Sequence, residues 1–368
     1  MAARQADEAA DELHGEMELE RGMLPWISPS EALRVFDMLY EGAWYFMGGR
    51  QLLGDTRATM REAYERCLLA GTAPLFWLEL PLLGRPHSDL HVSYDCREVG
   101  AEARYARGDG FGYQGLLAWY AEHRKPGTGI DFTVDLTHEG IEAVGAYVSF
   151  FDARVTDLEG FCASIGRPSD AARCRRLSGM FPQGWRVWYA SPFPGRAGNP
   201  VRAAGLVSEE LRHAFARDCS LVRDHFSGMG LPHVTDELCH RVSTLASLPI
   251  DLELRVGMDE QGSMCERFDV SFYLSQGHFS PSERACVFGE GGAGRRALTW
   301  FEDWGIADER WRALAEGGFS LVAPFVRDDG TTARLALFNS PTCFMMPWKD
   351  GEPLAAKAYP KLVGRLLR

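Results

Sequence analysis

The sequence predicts an α/β fold in which ten antiparallel strands close into a barrel with helices on its outer side. Pairs of strand-like segments recur along the chain, beginning near Leu75, Ile130, Trp185, Ile250 and Phe319, and helical sequence separates successive pairs. Within the strand-like segments, apolar and polar residues alternate. Because a regular step of about 55 to 70 residues indicates a repeated supersecondary unit, we take the unit to be helix, strand, strand, helix.

Local signals place each element in chain order. Ser28-Pro29 precedes the first helix, Asp55 opens the second, and Ser208 and Thr235 cap two later helices. The predicted helices cover residues 32–46, 55–69, 113–123, 158–165, 169–177, 208–226, 235–245, 281–287, 295–304 and 308–315. The predicted strand pairs cover residues 75–82 with 89–95, 130–136 with 144–151, 185–190 with 200–207, 250–256 with 268–274, and 319–327 with 332–338. The tail at 353–368 reads as strand followed by helix.

Each strand has one apolar face and one polar face. In residues 89–95, one face carries Leu90, Val92 and Tyr94, and the intervening residues are polar; residues 130–136, 251–256 and 268–274 behave alike. Successive strand side chains point to opposite faces, so the helices must cover the apolar side. The polar side then faces either bulk water, in an open α/β layer, or the solvent-filled lumen of a barrel. A doubly wound parallel sheet does not fit, since its strands would be apolar on both faces.

Composition and charge argue against several classes of protein. The chain has 368 residues and a net charge of −12, which argues against a nucleic-acid-binding surface. Its nine cysteines are odd in number and form no C-x-x-C, so we expect reduced thiols and a cytoplasmic location. We see no signal peptide and no apolar run long enough to span a membrane. Residues 1–22 form an acidic arm, either a loose helix or disordered, and no linker divides residues 23–368, which we expect to be one domain.

Some segments resemble a known family. Gly129-Ile130-Asp131 with Asp135-Leu136, followed by the strand at 147–151, resembles the central segment of the cyanobactin peptide prenyltransferases. Lys357-Ala358-Tyr359 is similar to the Lys-x-Tyr pattern that lines the diphosphate site of indole prenyltransferases; those enzymes repeat it on several strands, and this chain shows it once. Residues 251–359 also loosely resemble uncharacterised proteins encoded beside peptide natural-product genes. Together with the α-β-β-α repeat, these segments resemble the ABBA-fold prenyltransferases over nearly the whole chain.

The resemblance implies transfer of an isoprenyl group from an isoprenyl diphosphate to an aromatic or peptide side-chain acceptor, in the biosynthesis of a modified peptide. Such a site must hold the diphosphate with cations, shield an allylic cation with aromatic faces and accept a proton. For the diphosphate we nominate Arg202, Arg255, Arg334, Lys357 and Tyr359. For the shield we nominate Tyr147, Tyr189 and Tyr273. For the base we nominate Glu79, a carboxylate within an apolar run, and then Asp131.

Other motifs in the sequence give less evidence of function. Residues 289–294 satisfy G-x-G-x-x-G, but no strand precedes them, so we interpret them as a loop rather than a dinucleotide fingerprint. No DDxxD is present, so no motif indicates Mg²⁺, and the histidines lack metal-ligand spacing.

Two rivals to the transferase hypothesis stay open. The same barrel would serve as a non-catalytic binding or scaffold protein for a precursor peptide, which the solitary Lys-x-Tyr and the acidic strand faces favour. The second rival is a different peptide-modifying transferase. Convergence of Arg202, Arg255, Arg334 and Lys357 on one lumen would favour the prenyltransferase. The sequence does not indicate the oligomeric state.

Overall fold

Ten antiparallel strands form a continuous path that curves into a barrel. The computed structural model describes residues 27–95, 103–125, 128–137, 139–149, 153–155, 157–274 and 281–367. Within them the strands are β1 (Leu75–Pro81), β2 (Asp89–Asp95), β3 (Gly129–Thr137), β4 (Gly140–Ser149), β5 (Trp185–Pro192), β6 (Val201–Val207), β7 (Asp251–Met258), β8 (Arg267–Tyr273), β9 (Ser320–Val326), β10 (Thr332–Lys349), β11 (Glu352–Pro353) and β12 (Lys357–Leu367). The path runs β4-β3-β2-β1-β12-β10-β8-β7-β6-β5, while β9 and β11 pair only with β10. The predicted ten-stranded antiparallel barrel of α-β-β-α units is therefore confirmed.

The two ends of this path, β4 and β5, meet through side chains. The Ser191 hydroxyl on β5 donates to the carbonyl of Ala146 on β4 at 2.7 Å. Tyr147 on β4 stacks on Tyr189 of β5, with ring centroids 4.6 Å apart. Phe193 lies so close to Gly145 that a Cβ there would come within 2.5 Å of the Phe193 ring. These contacts make the seam that nearly closes the barrel.

Helices cover the outside. They are α1 (Pro29–Phe46), α2 (Arg50–Leu53), α3 (Arg57–Cys67), α4 (Gln114–His123), α5 (Leu158–Ser164), α6 (Ala171–Gly179), α7 (Glu209–Arg217), α8 (Cys219–Gly228), α9 (Asp236–Ala246), α10 (Pro281–Phe288), α11 (Ala293–Asp303) and α12 (Trp311–Glu316). The predicted cap at Ser28 forms a full capping box with Glu31, which fixes the start of α1. Residues 208–226, expected to be one helix, are two, because Asp218 has extended backbone and caps α8.

The apolar faces of the strands pack against these helices as expected. In β1, Phe76, Leu78 and Leu80 are fully buried on the outer side, and Phe76 packs against Phe36 of α1 with centroids 4.7 Å apart. Gly364 lets α1 approach β12, since a Cβ there would lie 2.2 Å from a methyl group of Val35. The core of the molecule therefore lies between the barrel and its helices, which leaves the inner face of the sheet to polar side chains.

Three expectations about the C-terminal part differ from the structure. The segment 319–327 was expected in the barrel, but it forms β9, which lies off the path. Its place is taken by β12, where the sequence predicted strand then helix. The strand expected at 332–338 continues to Lys349, because its second half is buried on both faces and pairs with β8 and β12. The count of ten barrel strands is unchanged.

Some expectations concern residues outside the described ranges. The acidic arm at residues 1–22 and Cys96 are among them, and the single-domain organisation of 23–368 stays a prediction. Residues 289–292 connect α10 to α11, so a helix rather than a strand precedes the glycine-rich loop. No helix within the described ranges combines the length and the apolar character needed to cross a membrane.

Candidate active site

The inner face of the barrel encloses a polar cavity. It has a volume of about 340 Å³, within the range of small-molecule sites. Side chains from strands β1 to β8, β10 and β12 line it, and so do His87 of the β1–β2 connection and residues 195–197 of the β5–β6 connection. The cavity therefore lies toward the end of the barrel at which both of these connections are found. The polar strand faces point into an enclosed lumen, which excludes the open-layer alternative.

Four cations project into the cavity from one side of the barrel. This basic wall consists of Arg202 on β6, Arg255 on β7, Arg267 on β8 and Lys357 on β12. β6, β7 and β8 are adjacent strands, and β10 separates β8 from β12. Three of the four nominated cations therefore converge, and Arg267 joins them.

Arg202 is the least neutralised member of the basic wall. Its nearest carboxylate is Asp269, with Nη2 and Oδ2 3.9 Å apart, beyond hydrogen-bond distance. Burial lowers the pKa of the Arg202 guanidinium, and the nearby Arg196 lowers it further. The side chain keeps 23% of its surface exposed, and Arg202 is a lining residue of the cavity. An anion placed there would relieve the cost of a half-paired buried charge.

Arg255 is held by a buried network below the cavity. Glu253 is fully buried and accepts hydrogen bonds from Arg255, from Trp188 Nε1 at 2.6 Å and from the Tyr273 hydroxyl at 3.1 Å. Burial alone would lower the pKa of Arg255, but Glu253 raises it well above its usual range. Arg255 also lies over the Tyr359 ring at 5.5 Å. The network therefore fixes one permanent cation on the cavity wall.

Glu79 lies on the cavity surface and is held there by three side chains. It accepts hydrogen bonds from Lys357 Nζ and from the Tyr359 hydroxyl at 2.6 Å, and its Oε2 lies 3.4 Å from His91 Nε2. Burial would raise the pKa of Glu79, but the charges of Lys357 and His91 hold it well below its ordinary value. Glu79 is therefore an ionised carboxylate on the cavity surface, where sequence reasoning placed the base.

Aromatic rings line the cavity at the β4–β5 seam and on β12. Tyr147 and Tyr189 stack across the β4–β5 seam, and both line the cavity together with Phe193 and Tyr359. Burial raises the pKa of Tyr147 well above its ordinary value, so its hydroxyl stays neutral. Tyr273, the third nominated shield residue, is not among the lining residues; it bonds to Arg255 and Glu253 behind them.

Strands β2 to β4 contribute acids. This acidic wall consists of Asp89 on β2, Asp135 on β3 and Glu142 on β4. Arg196 of the β5–β6 connection binds Asp135 through two hydrogen bonds of 2.6 Å each. Asp89 accepts from His87 Nε2 at 2.9 Å and from the backbone N–H of Leu136 at 2.7 Å.

Two nominated residues lie elsewhere. Arg334 is exposed and is not a lining residue, because it lies in the half of β10 that pairs with β9 rather than β8. Asp131 points inward on β3 and is buried, but it does not line the cavity. Burial raises the pKa of Asp131 to about 6, against a hydrogen bond from Ser93 that lowers it. Neither residue therefore joins the others at the cavity surface, and the nominated roles of Arg334 and Asp131 stay predictions.

Sequence reasoning missed several lining residues. Arg267 and His91 share the polar faces of their strands, so alternation could have identified them. Arg196 lies in a connection, where no periodicity marks a residue that reaches the lumen.

The described lining residues offer no cluster of metal ligands. Among the described residues, one group of three potential ligands occurs, His233, Glu266 and Asp350, all exposed and none of them a lining residue of the cavity. A role for Mg²⁺ stays a prediction, and we route no step of a reaction through a metal.

Comparison with known proteins finds a likeness of fold among solved structures. No protein-family model and no curated protein matches the chain. Among solved structures, the apo form of the prenyltransferase PriB matches with 14% sequence identity and a TM-score of 0.48, over 89% of this chain and 96% of that one. At this identity and TM-score, the likeness does not bear on the reaction or substrates of the present chain. The barrel itself rests on the strand order described above.

Proposed function

We propose that the protein is a prenyltransferase that moves an isoprenyl group from an isoprenyl diphosphate to an aromatic or peptide side-chain acceptor. The observation that carries the proposal is the convergence of Arg202, Arg255, Arg267 and Lys357 in one cavity, beside stacked tyrosines and an ionised carboxylate. Guanidinium groups pair with phosphate oxygens through charge-assisted hydrogen bonds, so this wall suits a diphosphate.

In the proposed reaction, the bond between C1 of the isoprenyl chain and the diphosphate oxygen breaks, and its electron pair leaves with the diphosphate. The basic wall stabilises the negative charge that develops there. The faces of Tyr147, Tyr189 and Tyr359 shield the allylic cation. An acceptor atom then donates an electron pair to C1 and loses a proton, which passes to Glu79. The low pKa of Glu79 is adequate, because the proton leaves a strongly acidic cationic intermediate.

The proposal includes a cytoplasmic location and a role in the biosynthesis of modified peptides. The eight described cysteines carry free thiols, as expected in a reducing compartment. The peptide role rests on the resemblance of residues 129–136 and 147–151 to peptide prenyltransferases.

The test is a turnover screen. The protein is incubated with dimethylallyl, geranyl and farnesyl diphosphates and with a set of indoles, phenols and peptides, and products are detected by mass spectrometry. We expect a product that carries one isoprenyl group. Lys357→Met should lower turnover at least about tenfold, since it removes a cation of the basic wall, whereas Arg334→Met should not.

A second candidate function is a non-catalytic peptide-binding barrel. The observation in its favour is that the cavity carries as many carboxylates as Lys and Arg side chains, so its cations are largely balanced. Binding of peptides without turnover of any of the three donors would establish this second function and end the first.

A further inference from the structure

We propose that the acceptor carries a protonated nitrogen, a guanidinium or an ammonium group, and that the acidic wall binds it. This inference rests on the proposed function, because it assigns the acceptor for the same cavity. It starts from the way in which charges divide between the two sides of the lumen.

The cavity is polarised. Among the described lining residues, strands β1 to β4 contribute Glu79, Asp89, Asp135 and Glu142 and no Lys or Arg. The rest of the lining contributes every Lys and Arg and one carboxylate, Asp269. A ligand pair that matches this arrangement has its negative part on the basic wall and its positive part on the acidic wall. A diphosphate donor supplies the negative part for the basic wall, and a cationic acceptor supplies the positive part for the acidic wall.

The acidic wall already binds one guanidinium from its own chain. Arg196 pairs with Asp135 through two hydrogen bonds of 2.6 Å, and its guanidinium lies over the Phe193 ring at 4.8 Å. Carboxylate on one side and an aromatic face on the other is the usual environment of a bound guanidinium. After this pairing, Glu142 has no Lys or Arg partner among the described residues. Asp89 accepts from His87 and from the Leu136 N–H through Oδ1, so its Oδ2 remains for a ligand.

A buried hydroxyl on the same wall points independently to a ligand. Thr133 on β3 is 3% exposed, lines the cavity, and its Oγ1 has no hydrogen-bond partner. Buried hydroxyls without a partner are costly, and such a group in a cavity indicates a partner that arrives with the ligand. An N–H of a guanidinium or ammonium group would supply the missing donor.

The test measures binding of small probes without any donor, at about pH 8, where the arginine and lysine probes both carry a positive charge. The probes are N-acetyl-arginine amide, N-acetyl-lysine amide and N-acetyl-citrulline amide, which has the shape of the arginine probe without its charge. By isothermal titration calorimetry, we expect the arginine or the lysine probe to bind at least about tenfold more tightly than the citrulline probe. The tighter of the two identifies the cationic group.

Matched variants locate the effect. Glu142→Gln should reduce the preference for the cationic probe at least about fivefold, whereas Glu139→Gln, the same change three residues away and outside the cavity lining, should leave it unchanged. Equal binding of the citrulline probe and both cationic probes would overturn the inference, and so would equal effects of the two variants. Donor binding is measured separately with geranyl S-thiolodiphosphate, so that a failed donor site and a failed acceptor site are distinguishable.

Discussion

Replacing Arg202 by Met separates two effects of the basic wall, its effect on the stability of the fold and its effect on binding of the donor diphosphate. The guanidinium is largely buried and lies 3.9 Å from Asp269, too far for a hydrogen bond, while Asp269 is also bonded to Arg267 at 3.1 Å. Removing Arg202 therefore leaves no buried carboxylate without a partner. A methionine fills similar space without the desolvation cost. We expect the free energy of unfolding to be unchanged or higher, by up to about 2 kcal/mol.

Donor binding should move in the opposite direction. A hydrogen bond between a charged side chain and a charged ligand contributes about 1.5 to 3 kcal/mol. Loss of one such bond from Arg202 raises the Kd for geranyl S-thiolodiphosphate by about 10- to 150-fold. The assays are guanidinium chloride denaturation for stability and isothermal titration calorimetry for the donor analogue. Arg334→Met is the matched control, since Arg334 is exposed and outside the cavity, and it should change neither quantity.

A variant that loses stability and keeps its affinity for the donor analogue would refute the reasoning. That result would mean that Arg202 stabilises the barrel wall and does not serve as a ligand-binding cation. Equal losses of affinity in Arg202→Met and Arg334→Met would refute it as well, because they would indicate a general effect of net charge.

Three further predictions test the lumen and the seam. Asp131→Asn should stabilise the protein increasingly as the pH rises from about 4 to above 6, by up to about 3 kcal/mol. The reason is that the pKa of Asp131 is raised to about 6, so the folded state binds more protons than the unfolded state in this range. A pH-independent difference in thermal stability would contradict this prediction. Glu253→Gln should lower the free energy of unfolding by about 3 kcal/mol or more, since it leaves the buried Arg255 without its counter-charge, and a loss below about 1 kcal/mol in chemical denaturation would show that the network is dispensable. Gly145→Ala should cost about 1 to 3 kcal/mol in the same assay, because its Cβ would lie 2.5 Å from the Phe193 ring at the barrel seam; an unchanged denaturation midpoint would mean that the seam is loosely packed.

Much of this architecture could be predicted, because alternation is a strong signal wherever one face of a strand is dry and the other wet. It placed Arg255 on the inner face. Glu79 was nominated as a carboxylate within an apolar run and Tyr359 through the Lys-x-Tyr pattern, and the structure brings all three residues together around one cavity. The second half of β10 was missed, because it is buried on both faces and lacks alternation.

Other features depend on tertiary structure that no local pattern reports. Arg334 alternates correctly, but its half of β10 pairs with β9, outside the barrel path. Arg196 enters the lumen from a connection, and its partner Asp135 lies 61 positions away in the sequence. The division of the cavity into a basic and an acidic wall likewise follows from strand order, which places β12 beside β1.

The measurement that tests the account most directly is an experimental structure of the protein with geranyl S-thiolodiphosphate bound. We expect the diphosphate inside the barrel, with its oxygens within hydrogen-bond distance of Arg202 and at least one of Arg267 and Lys357, and the isoprenyl chain against Tyr147 and Tyr189. A ligand bound on the outer surface, or a lumen that stays without the analogue at saturating concentration, would contradict the proposed site and the reaction built on it.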